Sequence, residues 1–473
     1  MDTIAITFPG VKVNAEIQNL TFDNLEDMIF EISQNIACRV FEKAITDIDN
    51  NLRKNRERGT LKNTGKRGKY FLTRFGDIFY TRTRYKEGDS KSHYLLDEAL
   101  NMKKNQRISL SRTRIECFLS ALSSYREVQE GIALLIDGPR CHEAIRQSVI
   151  KEGHLLGENQ EKKLKQIENL NYPDKKIPVI AYLEADATYI KQQKKDKKDK
   201  GLLEVKLGMG YTGKEVRYAS GKSKRVREKF IYTDIGQSGR KFMEKFSLLA
   251  EARFSLSKVK NILFGGDGDS WITSGIKDYF PSATYLLCFY HLFKKIKECL
   301  RRRKPEQKHL KDLLLSNRID KALSIIDPLI RNPYDLKEKD QLTKLYTYIF
   351  RNRQGISNQI KQKDKAGAIE SNVNQAIASR FKKRGMSWSR RGALALLKVK
   401  ETILNNEWNI WWESERDRNI KVGKYHPPLS ASHFKNTPET SPLIEVTLPA
   451  FYGPDQAKPW VGVLRKLTEV GYY

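Results

Sequence analysis

The sequence is poor in cysteine, and its few cysteines are scattered. Its 473 residues contain five of them, at positions 38, 117, 141, 288 and 299, with no CxxC pair. Disulfide frameworks and structural zinc sites need cysteines in paired or closely spaced sets. We therefore expect neither feature, and a reducing cytoplasmic compartment fits best.

Long apolar runs are also missing. The segment Gly131–Ile136 is typical of the longest, far below the roughly 20 residues that span a bilayer. The N-terminal residues lack a basic region followed by an apolar stretch, so they do not resemble a secretory signal. No contact with a membrane is expected.

Acidic residues are too few to balance the basic ones. There are 57 Asp and Glu against 87 Lys and Arg, which gives a formal net charge of +30. Hydrophobic residues make up 39% of the chain, enough for ordinary cores, so wholesale disorder is excluded. Solvated basic faces and anionic membranes are the alternatives, but charge spread along the whole chain favours many separate phosphate contacts, and hence nucleic acid.

The N-terminal third has the pattern of a DNA-binding region. Residues 1–60 carry an amphipathic helix, over about 23–50, suited to packing or dimerisation. Residues 61–152 contain a basic β-hairpin and a helix-turn-helix outline, whose first helix opens at the capping box Ser124 to Glu127 and whose second covers 139–150. The candidate DNA contacts are Arg82, Arg84, Arg140, His142, Arg146 and Gln147. Edge strands also carry basic residues merely against aggregation, and most helical hairpins bind no DNA, so both alternatives stay open.

From residue 178 the sequence alternates between strands and helices. Three apolar strands at 178–190, 202–211 and 229–234 precede a helix at about 240–255; a strand at 259–264, a helix at 270–280 and a strand at 283–289 follow. This order predicts a ribonuclease-H-like core, with its first part at 178–291, a helical insertion at 292–365, C-terminal helices at 366–424 and an irregular tail at 425–473. The predicted fold class is therefore a multidomain α+β or α/β protein.

Three acids stand where this core would bring them together. Asp186 ends the first strand among apolar neighbours, Asp267 follows the fourth strand in a Gly-Gly-Asp-Gly turn, and Glu370 lies on a helix beyond the insertion. An unpartnered charge in apolar surroundings is costly, which indicates a specific role for Asp186. Because two divalent ions held by carboxylates can position and cleave a phosphodiester, the three acids are candidate catalytic and metal-binding residues.

Two nearby acids have competing interpretations. Asp269 lies in the same turn as Asp267, and we expect it to cap the helix that begins at Ser270. Glu184 alternates with Asp186 and shares its face of the strand. It could support the site from behind, although a salt bridge to a lysine is the favoured prediction.

The motifs EADATYI, GGDGDSWI, LCFYH and GAIESNVNQAIASRFKKRGMSW occur in this order along the chain. Together they resemble the DDE transposases of bacterial insertion sequences, in particular the ISLre-type group of the Mutator-related superfamily. The resemblance covers most of the chain, and it implies that Asp186, Asp267 and Glu370 form the catalytic triad. Cys288 and His291 match the superfamily's Cys/Asp-x-x-His signature, although this group usually has aspartate at the first position.

The resemblance also implies partners and cofactors. They are two Mg²⁺ or Mn²⁺ ions, double-stranded DNA as transposon ends and as target, and a homo-oligomer that holds two ends together in the bacterial cytoplasm, near the nucleoid. The expected function is DNA cleavage and strand transfer. A structure-selective nuclease on the same core and a domesticated, non-catalytic DNA-binding protein are the alternatives.

Overall fold

The structure is a computed structural model that describes residues 3–8, 11–16, 21–56, 60–88, 92–138, 140–169, 177–193, 201–216, 224–362, 367–382 and 385–419. Residues 1–421 form one compact unit. The predicted tail at 425–473 belongs to a second unit and lies outside the described residues.

The N-terminal region combines two hairpins and a long helix. Its elements are β1 (Thr3–Phe8), β2 (Val11–Glu16), α1 (Phe22–Asn55), β3 (Lys62–Leu72) and β4 (Asp77–Lys86). The predicted basic hairpin is confirmed as the antiparallel pair of β3 and β4. Helix α1 packs on β4, where the buried Asp49 carboxylate accepts hydrogen bonds from the backbone and hydroxyl of Thr83.

Four helices follow this region. They are α2 (Leu95–Ala99), α3 (Leu110–Ser120), α4 (Tyr125–Ala133) and α5 (His142–Glu168). The capping box of Ser124 and Glu127 is present at the start of α4, as predicted. The expected helix at 139–150 begins later, at His142, and is much longer, with 27 residues. Because α5 packs along a C-terminal helix, α15 (Arg390–Leu404), much of it belongs to the protein core.

The central region contains a five-stranded sheet, a small hairpin and two covering helices. Its elements are β5 (Ile180–Lys191), β6 (Leu202–Tyr211), β7 (Gly213–Val216), β8 (Lys224–Arg227), β9 (Phe230–Ile235), α6 (Gly239–Phe254), β10 (Asn261–Gly266), α7 (Ser270–Tyr279) and β11 (Ala283–Leu287). The strand order across the sheet is β11-β10-β5-β6-β9. Strands β5, β6 and β9 pair antiparallel, whereas β10 lies parallel to both β5 and β11.

The remaining described residues are mainly helical. Before α15 come α8 (Phe289–Cys299), α9 (Lys304–Leu315), α10 (Ile319–Arg331), α11 (Leu336–Arg351), α12 (Arg353–Lys361), α13 (Ile369–Val373) and α14 (Ser379–Phe381), and after it comes α16 (Trp408–Asn419). A π-helical turn at Asn374–Ala378 joins α13 to α14, so residues 369–381 form one continuous helical segment. The fold is thus mixed α+β, as expected.

Apolar side chains on both faces of the sheet explain its position between two helical layers. One face packs on α6 and α7 through an aromatic cluster that includes Phe242, Phe246 and Phe264. The other face packs on α5, α13 and α15 through residues such as Val205, Leu207 and Leu396. The insertion helices α8 to α12 have a separate apolar core.

The part of the chain that the structure describes contains no helix long and apolar enough to cross a bilayer. All five cysteines are free thiols. This result agrees with the scattered spacing of cysteine in the sequence.

Candidate functional site

The first acid of the site lies inside the sheet. Asp186 is on the central strand β5 and is only 6% exposed. Its Oδ1 accepts a hydrogen bond of 2.8 Å from the N–H of Ala187. Burial raises the pKa of Asp186 to about 7, and the neighbouring carboxylates of Asp267 and Glu370 act in the same direction. A cation at this position would therefore relieve an unfavourable concentration of negative charge.

The second acid is beside the first because of strand register. Glu184 pairs with Gly265 in the parallel ladder of β5 and β10, and two further residues along each strand lead to Asp186 and Asp267. Neighbouring strands lie about 4.8 Å apart. Gly268 has φ +90°, a conformation that other residues rarely adopt, so the turn needs glycine at this position.

Asp269 has a different contact from the predicted one. It occupies the N-cap position of α7, but its side chain makes no capping hydrogen bond. Instead its backbone N–H donates to Oδ1 of Asp267 at 2.9 Å. The predicted N-cap position of Asp269 is therefore confirmed, but the side-chain hydrogen bond expected of a cap is absent. Burial raises the pKa of Asp267, and the hydrogen bond from Asp269 opposes that rise.

The insertion supports the turn that carries the second acid. Tyr348 of α11 donates a hydrogen bond of 2.6 Å from its hydroxyl to the carbonyl oxygen of Asp267. Asn352 accepts one from the Tyr285 hydroxyl and lies against Gly268, where an added Cβ would come 2.8 Å from its Nδ2. The helical insertion thus forms part of the wall of the site. These contacts join residues about 80 positions apart, and the sequence contained no signal for them.

The third acid approaches the first two from the helical segment at 369–381. Glu370 lies in the first turn of α13, and its Oε1 is 3.1 Å from Nε2 of His291. Burial acts to lower the pKa of His291, but the sulfur of Cys288 and the charge of Glu370 outweigh it and leave the pKa raised. The π-helical turn that follows is a distortion often found at functional sites.

For Glu184, sequence reasoning named a supporting role beside the site but favoured another one. It is 1% exposed and accepts hydrogen bonds from the backbone N–H groups of Gly367, Ala368 and Ile369, at the start of the helix that carries Glu370. The favoured prediction of a salt bridge to a lysine is wrong. Backbone donors satisfy this carboxylate instead. The one available signal was its spacing of two residues from Asp186.

The possible metal ligands near the site form two sets. Ligand atoms of Cys288, His291 and Glu370 lie within 4.8 Å of one another and form the one such group of three in the described residues, but thiol and imidazole are not the ligands that Mg²⁺ prefers. Asp186 and Asp267 lie outside that group. They offer carboxylate oxygens on adjacent strands, and among the described residues no lysine or arginine forms an ion pair with either. This set fits a hard divalent cation.

The two predicted DNA contacts on the basic hairpin make local interactions. Arg82 forms an ion pair with Asp97, and its guanidinium lies 3.7 Å from the centre of the Tyr94 ring. Arg84 donates to the hydroxyl and carbonyl oxygens of Thr64 across the hairpin. Both side chains therefore stabilise the hairpin, and both stay candidate DNA contacts.

The predicted contacts near α5 are divided between core and surface. Arg140 pairs with Glu116, a fully buried carboxylate, whereas Arg146 and Gln147 both donate to the exposed Glu143. His142 donates its backbone N–H to Gln129. The side chains of His142 and Arg146 line a cavity of about 770 Å³ whose other walls include Arg126, Arg380 and Trp388. The structure does not bring these residues to the three acids.

Comparison with known proteins identifies relatives along most of the chain. One UPF0236 protein from Caldanaerobacter subterraneus subsp. tengcongensis is 22% identical over 421 residues, which cover 88% of this chain and 85% of the relative. Another from the same organism is 23% identical over 424 residues, covering 88% and 86%. The name of the first relative joins four designations, TTE0610, TTE0881, TTE1053 and TTE2432. The model of an uncharacterised protein family, UPF0236, matches residues 16–412, and the chain belongs to that family.

Proposed function

We propose that this protein is a DDE-type transposase, which binds double-stranded DNA at the ends of a mobile element and catalyses metal-dependent strand cleavage and strand transfer. The observation that carries the proposal is the convergence of Asp186, Asp267 and Glu370 beside the central strand, where the neighbouring strand β10 ends. A protein that only binds DNA has no need of mutually repelling, partly buried acids.

The topology of the sheet supports a ribonuclease-H-like core. Its first three strands are antiparallel and sequential, and the fourth and fifth add in parallel on the other side of the first strand. In this sheet Asp186 lies on the central strand, and Asp267 follows the neighbouring strand β10.

The chemistry follows from the donor set. Asp186, Asp267 and Glu370 would hold Mg²⁺ or Mn²⁺, which when bound activates the attacking hydroxyl and neutralises charge on the phosphate. Asp186 must lose its proton to act as a ligand, because its pKa is raised to about 7. The backbone N–H of Asp269 and the hydroxyl of Tyr348 keep Asp267 oriented. Cys288 and His291 support Glu370.

The names of the relatives are consistent with mobility. One relative has four designations in a single organism, and another, named TTE1650/TTE2708, has two. A protein encoded by several copies of one element would acquire names of this kind.

The test is an assay with labelled duplex DNA that contains the sequences flanking the gene, in Mg²⁺ or Mn²⁺. We expect cleavage followed by joined products. Asp186→Ala should abolish cleavage while DNA binding persists, and Asp278→Ala, which changes an exposed acid on α7, is the matched control. Cleavage without joining would indicate a nuclease, binding without cleavage would indicate a non-catalytic DNA-binding protein, and activity retained by Asp186→Ala would mean that the triad is misassigned.

A further inference from the structure

The buried carboxylate of Glu184 has all of its hydrogen-bonding capacity in use. Oε1 accepts from the hydroxyl of Tyr211 at 2.8 Å and from the N–H of Ala368 at 2.9 Å. Oε2 accepts from the N–H groups of Gly367 at 3.0 Å and Ile369 at 3.1 Å. A carboxylate has about four lone-pair sites, so these four donors fill it.

Three of those donors are backbone groups at the start of a helix. The first N–H groups of a helix have no partner within the helix, and together they carry a partial positive charge. Ala368 is the N-cap residue of α13, but its own side chain cannot cap the helix. Glu184 supplies the missing acceptor from the sheet, and its negative charge complements this end of the helix.

The same side chain connects two parts of the proposed catalytic site. Along β5, Glu184 precedes Asp186 by two residues and has its side chain on the same face. Its backbone partners are the three residues immediately before Glu370. Glu184 and Ile369 are 185 positions apart in the chain, and the helical insertion lies between them. Glu184 therefore joins the strand of the first acid directly to the helix of the third.

We propose that Glu184 is a positioning residue, which holds the helix of Glu370 against β5 so that the third acid stays at a fixed distance from Asp186. This role rests on the proposed function, because it concerns how the acids bind a divalent cation. Residues that orient metal ligands typically change metal affinity by 10- to 100-fold when they are replaced. Glu184 would do so through the helix of Glu370, because its own oxygens already accept four hydrogen bonds.

Glutamine at this position has the right size but the wrong polarity. If its amide nitrogen replaces Oε2, two N–H donors of the helix face another donor. If it replaces Oε1, the Tyr211 hydroxyl can rotate and accept, but the N–H of Ala368 still loses its acceptor. Either orientation leaves a buried backbone donor unsatisfied. Tyr211→Phe is the matched control, because it removes one donor and leaves all three backbone contacts in place.

The test compares the full-length wild type with Glu184→Gln and Tyr211→Phe in two measurements. Amide hydrogen exchange reports on residues 367–369, and Mn²⁺ titration followed by electron paramagnetic resonance reports on the acids. In Glu184→Gln we expect faster exchange at 367–369 with β5 and β6 still protected, and Mn²⁺ affinity weaker by about tenfold. DNA affinity should stay unchanged. Tyr211→Phe should behave as the wild type in all three respects.

Each part of the proposal would be overturned by a different experimental result. Unchanged exchange at 367–369 in Glu184→Gln would overturn the anchoring contact itself. If Glu184→Gln exchanged its amide hydrogens at 367–369 faster but bound Mn²⁺ as tightly as the wild type, the positioning role would be overturned and the proposed function would remain intact. If the wild type binds no Mn²⁺, the proposed function fails, and the positioning role fails with it. Should Glu184→Gln not fold, Ala368→Pro removes one of the same hydrogen bonds from the helix side, and we expect faster exchange at Gly367 and Ile369 with weaker Mn²⁺ binding.

Discussion

At the scale of single residues, Gly153 determines how closely two helices of the core approach. It lies where α5 crosses α15, and a Cβ added there would meet the carbonyl oxygen of Ala395 at 2.2 Å. That distance is far inside van der Waals contact, and the obstacle is backbone that cannot rotate away. Here glycine permits close packing between helices.

We expect Gly153→Val to destabilise the protein by at least about 2 kcal/mol, because the two helices must separate or distort. Gly157→Ala is the matched control, four residues along α5, where an added Cβ has nothing within 4 Å. It should stabilise the helix by about 1 kcal/mol. Urea unfolding followed by circular dichroism measures both changes, and equal stability of the two variants would contradict this account.

At the scale of elements, α5 and α16 place two acids near each other in the core. Glu152 and Glu415 are each 6% exposed, and Oε2 of Glu152 is buried without a hydrogen-bond partner. Burial raises the pKa of Glu152 to about 7, and the charge of Glu415 adds to the rise. The folded protein therefore keeps a proton on Glu152 at pH values where the unfolded chain has already released it.

This shift has a definite sign. Because the folded pKa is above the unfolded value, stability falls as pH rises from about 4.5 to 7, and the loss is complete above that range. Glu152→Gln keeps the neutral shape and should stabilise the protein at pH 8 by about 1–3 kcal/mol, with little effect near pH 4.5. Thermal melts at both pH values measure the difference. If Glu152→Gln raised the stability by the same amount at both pH values, ionisation of Glu152 would not be the cause.

The elements also indicate which parts of the fold and of the candidate site could be predicted from the sequence. The strands of the sheet, the basic hairpin and the capping box were predictable because each depends on local patterns, such as an apolar run or a serine three residues before a glutamate. That Asp186 and Asp267 lie close together in space could be predicted from the order of the strands in the expected sheet. The contacts of Glu184 and the support of the Asp267 turn by Tyr348 did not, since they depend on packing between distant segments. The start of α5 was misplaced because Gly138 and Pro139 suggested an immediate restart.

At the scale of the whole molecule, the sequence carries a large positive charge, whereas the candidate site is a group of acids. The net charge is +30, whereas the site brings together three carboxylates, of which Asp186 is buried and Asp267 and Glu370 are half-buried. Some basic residues, such as Arg82 and Arg140, are occupied by internal ion pairs. Such pairs leave the net charge unchanged, because each joins one basic and one acidic group that the sum already counts, so the excess remains to attract an anionic partner.

A net charge this large predicts an affinity for DNA that falls strongly as the salt concentration rises. A protein that makes 6–10 phosphate contacts loses about 10³- to 10⁵-fold in affinity between 50 and 200 mM salt, because bound counterions are released on association. We expect a loss in this range for duplex DNA, measured by fluorescence anisotropy. Asp186→Ala should give the same slope, since in the proposed function this acid holds a cation and makes no phosphate contact of its own. An affinity that hardly changes with salt concentration would instead mean that the positive charge does not serve to bind DNA.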